Sequence, residues 1–317
     1  MNYLLLLVGF GLLIKGADYF VTGSSNIASL LRVPPILIGL TIVAFGTSSP
    51  EATVSIIAAL EGSSGVALGN VVGSNIFNIT LVIGLTALIN PLKVESETIR
   101  KEIPFALLGS VVLLVLISDV VLQTLSSNLL TRSDGFILLL FFAVFMYYIF
   151  EVVRKSRDKS TVVPQQPNVT WRKNVVFTLV GLGAIIFGGD LVVRNSTEIA
   201  FSLGMSETLV GLTIVAIGTS LPELVTSITA AIKKQSEIAL GNIVGSNIFN
   251  IFFVLGTSAA ISPLLVSSKI FIDVLLMIIL TILLLLFSRT RYAVGKYEGA
   301  ILAASYLLYL VYIIIRN

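Results

Sequence analysis

The chain has 317 residues, of which 56% are hydrophobic and only 12% charged, with a mean hydropathy of +1.02. A soluble domain needs more charge than that to cover its surface, so the composition points to an all-α polytopic membrane protein with almost no soluble mass. There is no cysteine and no histidine, which excludes disulfides and thiolate or imidazole metal sites and leaves oxygen as the ligand for any hard cation.

Apolar runs of about 20 residues, long enough to cross a bilayer, recur from end to end. Ten spans are expected, near 2–31, 35–60, 65–89, 102–121, 134–154, 173–203, 207–232, 237–261, 269–288 and 293–315. The leading MNYLLLLVGF lacks a basic region and a small-residue cleavage site, so no cleavable signal is expected. The first and sixth spans are long and carry Asp18 and Asp190, for which a helix break or a packing role is expected. The second and seventh carry GTSSPE and GTSLPE, the third and eighth GNVVGSNIFN and GNIVGSNIFN. Between the fifth and sixth lies the polar segment 156–172, read as a cytoplasmic linker. Its Asn168-Val169-Thr170 sequon faces the wrong side to be used.

Lys and Arg set the orientation. With the N-terminus outside, Arg32, Lys93, Arg100, Lys101, Arg154, Lys155, Arg157, Lys159, Arg172, Lys173, Lys233, Lys234, Arg289, Arg291 and Lys296 fall in cytoplasmic loops. Only Arg132, Lys269 and Arg316 fall outside. Both termini are therefore expected outside, in a multi-pass protein of the cell membrane.

Shifted by 172 residues, the chain lies on itself without a gap from about residue 16 to 84. GLTIVAFGTSSPE (39–51) matches GLTIVAIGTSLPE (211–223) at 11 of 13 positions, and VALGNVVGSNIFN (66–78) matches IALGNIVGSNIFN (238–250) equally well. The chain thus divides into a first five-helix repeat (1–155, core 39–84) and a second (173–317, core 211–256). Five spans is an odd number, so the second copy enters the membrane from the opposite side. Inverted repeats of this kind are typical of secondary transporters with a binding site near the midplane.

The most similar stretches are also the most polar. Glu51 and Glu223 interrupt apolar spans, where a charge costs roughly 2.5–3.5 kcal/mol even on insertion scales. Pro50 and Pro222 lack an N–H and crowd the carbonyl four residues back, so the helix is expected to open locally, as is tolerated only beside a cavity or inside protein. Positions 44, 47, 48 and 51 would share a helix face, as would 216, 219, 220 and 223. Asn70, Ser74 and Asn78 are four apart and form a stripe, repeated by Asn242, Ser246 and Asn250. Gly69 and Gly73 form a neighbouring smooth stripe for close helix approach. The stripes either glue helices together or face the glutamates and complete an oxygen-lined cage; beside a duplicated Pro-Glu break the cage is favoured. FGGD (187–190) faintly suggests an intramembrane aspartyl protease. That reading lacks a second catalytic motif and leaves the glutamates unexplained, so no enzyme is expected.

Together the paired G-T-S-x-P-E and G-N-x-V-G-S-N-I-F-N motifs resemble the α-repeats of the sodium/calcium exchanger branch of the cation/calcium antiporter superfamily, in its prokaryotic type without a regulatory domain. The resemblance covers both repeats and all ten spans. It implies that Glu51 and Glu223 are the central Ca2+ ligands and share in Na+ binding. Thr47 and Thr219 would add carbonyl and hydroxyl oxygens, Ala44 and Ala216 carbonyls, and Ser48, Ser220, Ser74 and Ser246 hydroxyls, with Asn78 and Asn250 closing the middle. The first and sixth spans resemble the family's sliding pair. In the potassium-dependent branch the place of Asn250 is typically Asp, so K+ co-transport is not expected. Proton-coupled calcium exchangers carry an acidic residue after G-N, which is missing here. The expected function is Na+/Ca2+ antiport by alternating access, with H+/Ca2+ exchange, K+-dependent exchange and a cation channel as alternatives. No cofactor is expected beyond the transported ions. The partners are the lipid bilayer, Na+ and Ca2+, with no nucleic acid, and the chain is expected to be a monomer.

Overall fold

The computed structural model describes residues 2–122, 124, 126–159, 170–204 and 216–316. Within them the chain forms α1 (Asn2–Leu31), a bent pair α2 (Pro35–Thr47) and α3 (Ser49–Leu60), α4 (Ser64–Ile89), α5 (Glu102–Leu116), α6 (Arg132–Lys159) and α7 (Trp171–Ser202). A turn at Ala216–Thr219 then leads into α8 (Leu221–Ile232), followed by α9 (Ser236–Ile261), α10 (Ser268–Arg289) and α11 (Lys296–Arg316). Seven of these helices are each long and apolar enough to cross a membrane, and the bent α2–α3 pair makes an eighth such unit. Two departures from the expected spans have local causes. The fourth span is helical for only 15 residues, because the chain leaves the helix after Leu116 and restarts in a turn at Asp119–Leu122, where Asp119 accepts the Leu129 N–H at 2.8 Å. The seventh is split, and its first residues, 207–215, lie outside the described residues. Helices also run into the expected linker from both ends, with α6 reaching Lys159 and α7 starting at Trp171; 160–169 lie outside the described residues.

Backbone turns recur 172 residues apart. α1 ends at Arg32 and α7 near Gly204, both with positive φ (56° and 86°). α3 stops at Gly62 and α8 at Lys234, again left-handed (75° and 59°). Each of these last two ends is closed by the same back-reaching bond, Ser63 N–H to Ala58 C=O and Gln235 N–H to Ala230 C=O, both at 2.8 Å. This is the helix-stop geometry that satisfies orphaned carbonyls; glycine adopts it without strain, lysine and arginine less readily.

Helices α4 and α9 are the most buried spans and form the centre. α2 and α6 lie against α9, while α3, α10 and α11 lie against α4. Two short antiparallel ribbons tie the loops: β1 (Leu92–Lys93) pairs with β4 (Ala293–Val294), and β2 (Asn128–Leu130) with β3 (Leu264–Val266). The expected smooth stripe appears in the second copy, where Gly241 and Gly245 let α2 approach through the Ile36 and Leu40 carbonyls. In the first copy a Cβ at Gly69 would meet only Ile270, at 3.9 Å, and one at Gly73 nothing among the described residues; the equivalent neighbours, 208–212, lie outside them.

α1 and α7 pack antiparallel against each other along their length; α1 also lies against α8, while α7 touches the rest only lightly. Their contact runs on glycines seven apart: Gly9 meets Gly188, Gly16 meets Gly181, and Gly23 meets Asn174 and Thr178. Asp18 does not break α1. It forms an ion pair with Lys233 at the end of α8 (2.6 Å), and Lys233 also donates to the Asp18 carbonyl (2.9 Å) and to Thr22 Oγ1 (2.5 Å). Asp190 instead pairs with Arg194 one turn along its own helix, at 2.8 Å.

A Cβ at Gly181 would lie 2.5 Å from the Phe20 nitrogen and 2.7 Å from the Gly16 oxygen, both backbone atoms that cannot turn away. Gly181→Ala is therefore expected to destabilise the protein by about 1–3 kcal/mol, as overpacking does. Gly11→Ala, whose added methyl meets nothing within 4 Å, should melt no lower than the parent. Thermal melting in detergent checks both.

Candidate functional site

The glutamates sit at the starts of half-helices rather than within continuous ones. α2 and α3 meet at 48°, and Ser48 between them has left helical geometry (φ −82°, ψ 6°); Ser220 does the same in the second copy (φ −94°, ψ 8°). Pro50 and Pro222 occupy the first turn, where a missing N–H costs nothing. Glu51 and Glu223 follow them, still in that first turn, at the positive end of the helix dipole. The face shared by 44, 47, 48 and 51 is thus divided: the first three precede the bend and Glu51 follows it.

Ser-x-x-Glu before a helix reads as a capping box. Neither serine caps its own helix. Ser48 Oγ donates to Glu223 Oε1 at 2.8 Å, and Ser220 Oγ to Glu51 Oε1 at 2.9 Å. Each carboxylate is therefore held by the serine of the other copy. Ser246 Oγ adds a longer bond to Glu223 Oε1 (3.5 Å), and Ser220 also reaches Ser74 Oγ (3.0 Å). Glu51, Glu223, Ser48 and Ser220 are fully buried.

The asparagine stripes face the glutamates, but their members do different work. Asn70 Nδ2 donates to the Glu51 carbonyl (3.2 Å) and to Ser55 Oγ (2.9 Å), while its Oδ1 accepts from Thr219 Oγ1 (3.3 Å). Asn242 mirrors it with the Glu223 carbonyl (3.5 Å), Ser227 Oγ (3.0 Å) and Thr47 Oγ1 (3.0 Å). These two amides are satisfied at both ends and act as braces. Asn78 and Asn250 are satisfied at one end only. Asn78 Nδ2 donates to Asn247 Oδ1 and Asn250 Nδ2 to Asn75 Oδ1, both at 3.1 Å. Their oxygens, together with Glu51 Oε2 and Glu223 Oε2, are buried without a partner. Buried oxygens left unpaired are costly, and cations would satisfy all four. The Ala44 carbonyl accepts the Ser48 N–H at 3.0 Å and lies 3.4 Å from the Thr47 hydroxyl, so it remains a helical carbonyl engaged by its own turn. In the second copy the Ser220 N–H donates to the Ile217 carbonyl (3.2 Å).

Sequence reasoning placed the glutamates, serines, threonines and outer asparagines in one neighbourhood, and the structure brings them together. It missed Asn75, Asn247, Ser55 and Ser227, although Asn75 and Asn247 sit within the repeated GSN triplets. It also missed the π-helical turns at Gly39–Val43, Asn78–Val82 and Phe249–Leu255, two of which include Asn78 and Asn250. Such turns frequently mark functional positions. Among the described residues no group of three or more acidic, Cys or His side chains gathers to hold a metal. The site is thus two carboxylates in a ring of neutral oxygens.

Comparison with known proteins agrees along the whole chain. Residues 1–151 and 173–315 match the family described as sodium/calcium exchanger protein. The chain is 35% identical over 342 residues to the sodium/calcium exchanger MaX1 of Methanosarcina acetivorans, covering 98% of both. It is 38% identical over 270 residues to the inner membrane protein YrbG of Escherichia coli, covering 82% of this chain and 79% of that one. It superimposes with a TM-score of 0.84, at 31% identity and 98% coverage of each chain, on the sodium-calcium exchanger NCX_Mj soaked with 10 mM Na+ and zero Ca2+. A bundle of membrane-length helices, a duplicated Pro-Glu break and these matches lead to one conclusion: the chain belongs to the sodium/calcium exchanger family, multi-pass membrane antiporters of cations and not enzymes.

Proposed function

We propose that the protein exchanges Na+ for Ca2+ by alternating access, with Glu51 and Glu223 binding either one Ca2+ or several Na+. The observation that carries this reading is the crossed pair of serine–glutamate bonds, which leaves one oxygen of each buried carboxylate without a partner. Ca2+ accepts six to eight oxygens of mixed kind, whereas Mg2+ holds on to its waters. Glu51, Glu223, Asn78 and Asn250 would supply side-chain oxygens. Thr47, Thr219, Ala44 and Ala216 would add carbonyls or hydroxyls, and Ser48, Ser220, Ser74 and Ser246 hydroxyls, mainly to Na+. The described geometry around Ala216 does not bear on its part.

Two carboxylates neutralise one Ca2+ or two Na+, and the neutral oxygens around them can hold a further Na+. Empty, the site would carry two uncompensated charges through a closed barrier, where desolvation is prohibitive. The carrier therefore crosses when filled with either ion and hardly at all when empty, which couples the two fluxes. Asn250 adds no third charge, which favours Na+ without K+.

This reading includes ten spans in two inverted five-helix repeats, 1–155 and 173–317, with both termini outside. The ribbons support it: β1 and β4 lie in loops read as cytoplasmic and pair with each other, and β2 and β3, in loops read as external, do likewise. The glycine-faced α1–α7 pair would slide against the rest to expose the site to one side at a time.

In proteoliposomes, tracer Ca2+ uptake should require an outward Na+ gradient and be indifferent to K+. Uptake of equal size driven by a pH gradient in Na+-free buffer would reassign the coupling ion to H+, and uptake with no counter-ion would indicate a channel.

Glu51→Gln and Glu223→Gln should each reduce Ca2+ flux at least a hundredfold, of the order expected when one of two central charges is lost. The melting temperature should fall little, because the amide oxygen still accepts from the crossing serine. Ordinary flux in either variant removes the glutamates from the site.

A further inference from the structure

We propose that Asn75 is a positioning residue that fixes which end of the Asn250 carboxamide meets the transported cation. This rests on the reading of Asn250 as a ligand, and goes beyond it by naming what makes a neutral amide usable there.

An asparagine presents an oxygen on one side and an NH2 on the other. Only the oxygen can hold a cation; the NH2 repels it. The two ends have nearly the same shape, so packing alone does not choose between them, and the choice must come from hydrogen-bond polarity. Here the polarity is set by a group that cannot reverse. The Asn247 backbone carbonyl can only accept, and Asn75 Nδ2 donates to it at 3.3 Å. That bond turns Asn75 Oδ1 the other way, where it accepts from Asn250 Nδ2 at 3.1 Å. Asn250 Oδ1 is then the end left over, buried and unpartnered like the free oxygens of Glu51 and Glu223. Asn75 and Asn250 are both fully buried, so no bulk water is at hand to replace either bond.

The placement of Asn250 makes its orientation matter. It continues the stripe of α9 on which Asn242 Nδ2 reaches the Glu223 carbonyl and Ser246 Oγ reaches Glu223 Oε1. Asn75 comes from α4 of the other copy. The relay therefore runs from the backbone of α9 through a side chain of α4 and back to α9. A carboxylate at 250 would not need this relay, because it has no wrong end.

That last point supplies the test. Na+-gradient-driven Ca2+ uptake is measured in proteoliposomes, and the Ca2+ concentration at half-maximal rate is read separately from the maximal rate. Asn75→Leu should raise the half-saturating Ca2+ about tenfold or more, the size expected when a ligating oxygen is exchanged for a repelling NH2. In an Asn250→Asp background the same Asn75→Leu change should shift it by less than about threefold, because either carboxylate oxygen can face the ion. A purely structural role for Asn75 predicts the same loss in both backgrounds, and that result overturns the proposal, as does an unchanged half-saturation in Asn75→Leu alone. If the leucine variant does not fold, Asn75→Ala carries the same expectations. Asn250→Leu, which removes the oxygen altogether, tests the underlying reading separately. If it leaves Ca2+ half-saturation unchanged, Asn250 is not a ligand and the positioning role falls with it, while the glutamate variants still judge the exchanger reading on their own.

Discussion

Each buried glutamate is held by a serine that the other copy contributes, and the rest of the site is arranged around that exchange. Ser48 and Ser220 stand where a chain normally caps its own helix, yet both hydroxyls cross to the opposite carboxylate. The crossing is possible because the bend at each serine takes the residue out of helical geometry and aims Oγ away from the following turn. The helix ends thereby forgo their side-chain caps. In return the two halves are joined at the two groups whose burial is most costly. The hydroxyls reach only one oxygen of each carboxylate, so the arrangement holds the glutamates in place without neutralising them.

The amides divide into two kinds by the same accounting. Asn70 and Asn242 lie nearest the glutamates in sequence pattern, and every polar atom they own is engaged by protein. They tie the glutamate-bearing half-helix to its neighbour and to the threonine of the other copy. Asn78 and Asn250 each keep a free oxygen because their NH2 groups are taken by Asn247 and Asn75. A polar residue in an apolar span is thus not by itself a ligand; what remains unsatisfied after the protein's own bonds are counted is what an ion can use.

Much of this was legible in the sequence. The 172-residue shift, the Pro-Glu breaks and the four-residue spacing of the stripes came from pattern alone, and they put the glutamates with Ser48, Ser220, Ser74, Ser246, Thr47 and Thr219, which lie close together in the structure. The sequence did not separate bracing from free amides, because Asn70, Asn75 and Asn78 look alike until their partners on the other copy are known. Nor did it show that Ser-x-x-Glu fails to cap: a capping box and a crossing serine have the same letters and differ only in what lies across the interface. The π turns were hidden for a related reason, since one extra residue in a turn leaves an apolar pattern almost unchanged. The fourth span was read too long because Ile117-Ser118-Asp119 is apolar enough to continue a hydropathy run, although Asp119 is committed to the Leu129 N–H.

The copies are closely alike at the glutamates and differ where α1 and α7 meet the core. Asp18 and Asp190 are repeat-equivalent, but their partners are not. The place of Lys233, which holds Asp18, is taken in the first copy by Glu61, an acid that could not hold Asp190. The place of Arg194, which holds Asp190, is taken by Thr22, which instead accepts from Lys233. One aspartate therefore bolts α1 to the end of α8, while the other is satisfied within α7 and leaves that helix free of the equivalent link. A link that crosses between helices in one copy and stays within a helix in the other makes the two ends of the bundle unequal, although the motifs at the glutamates are nearly identical.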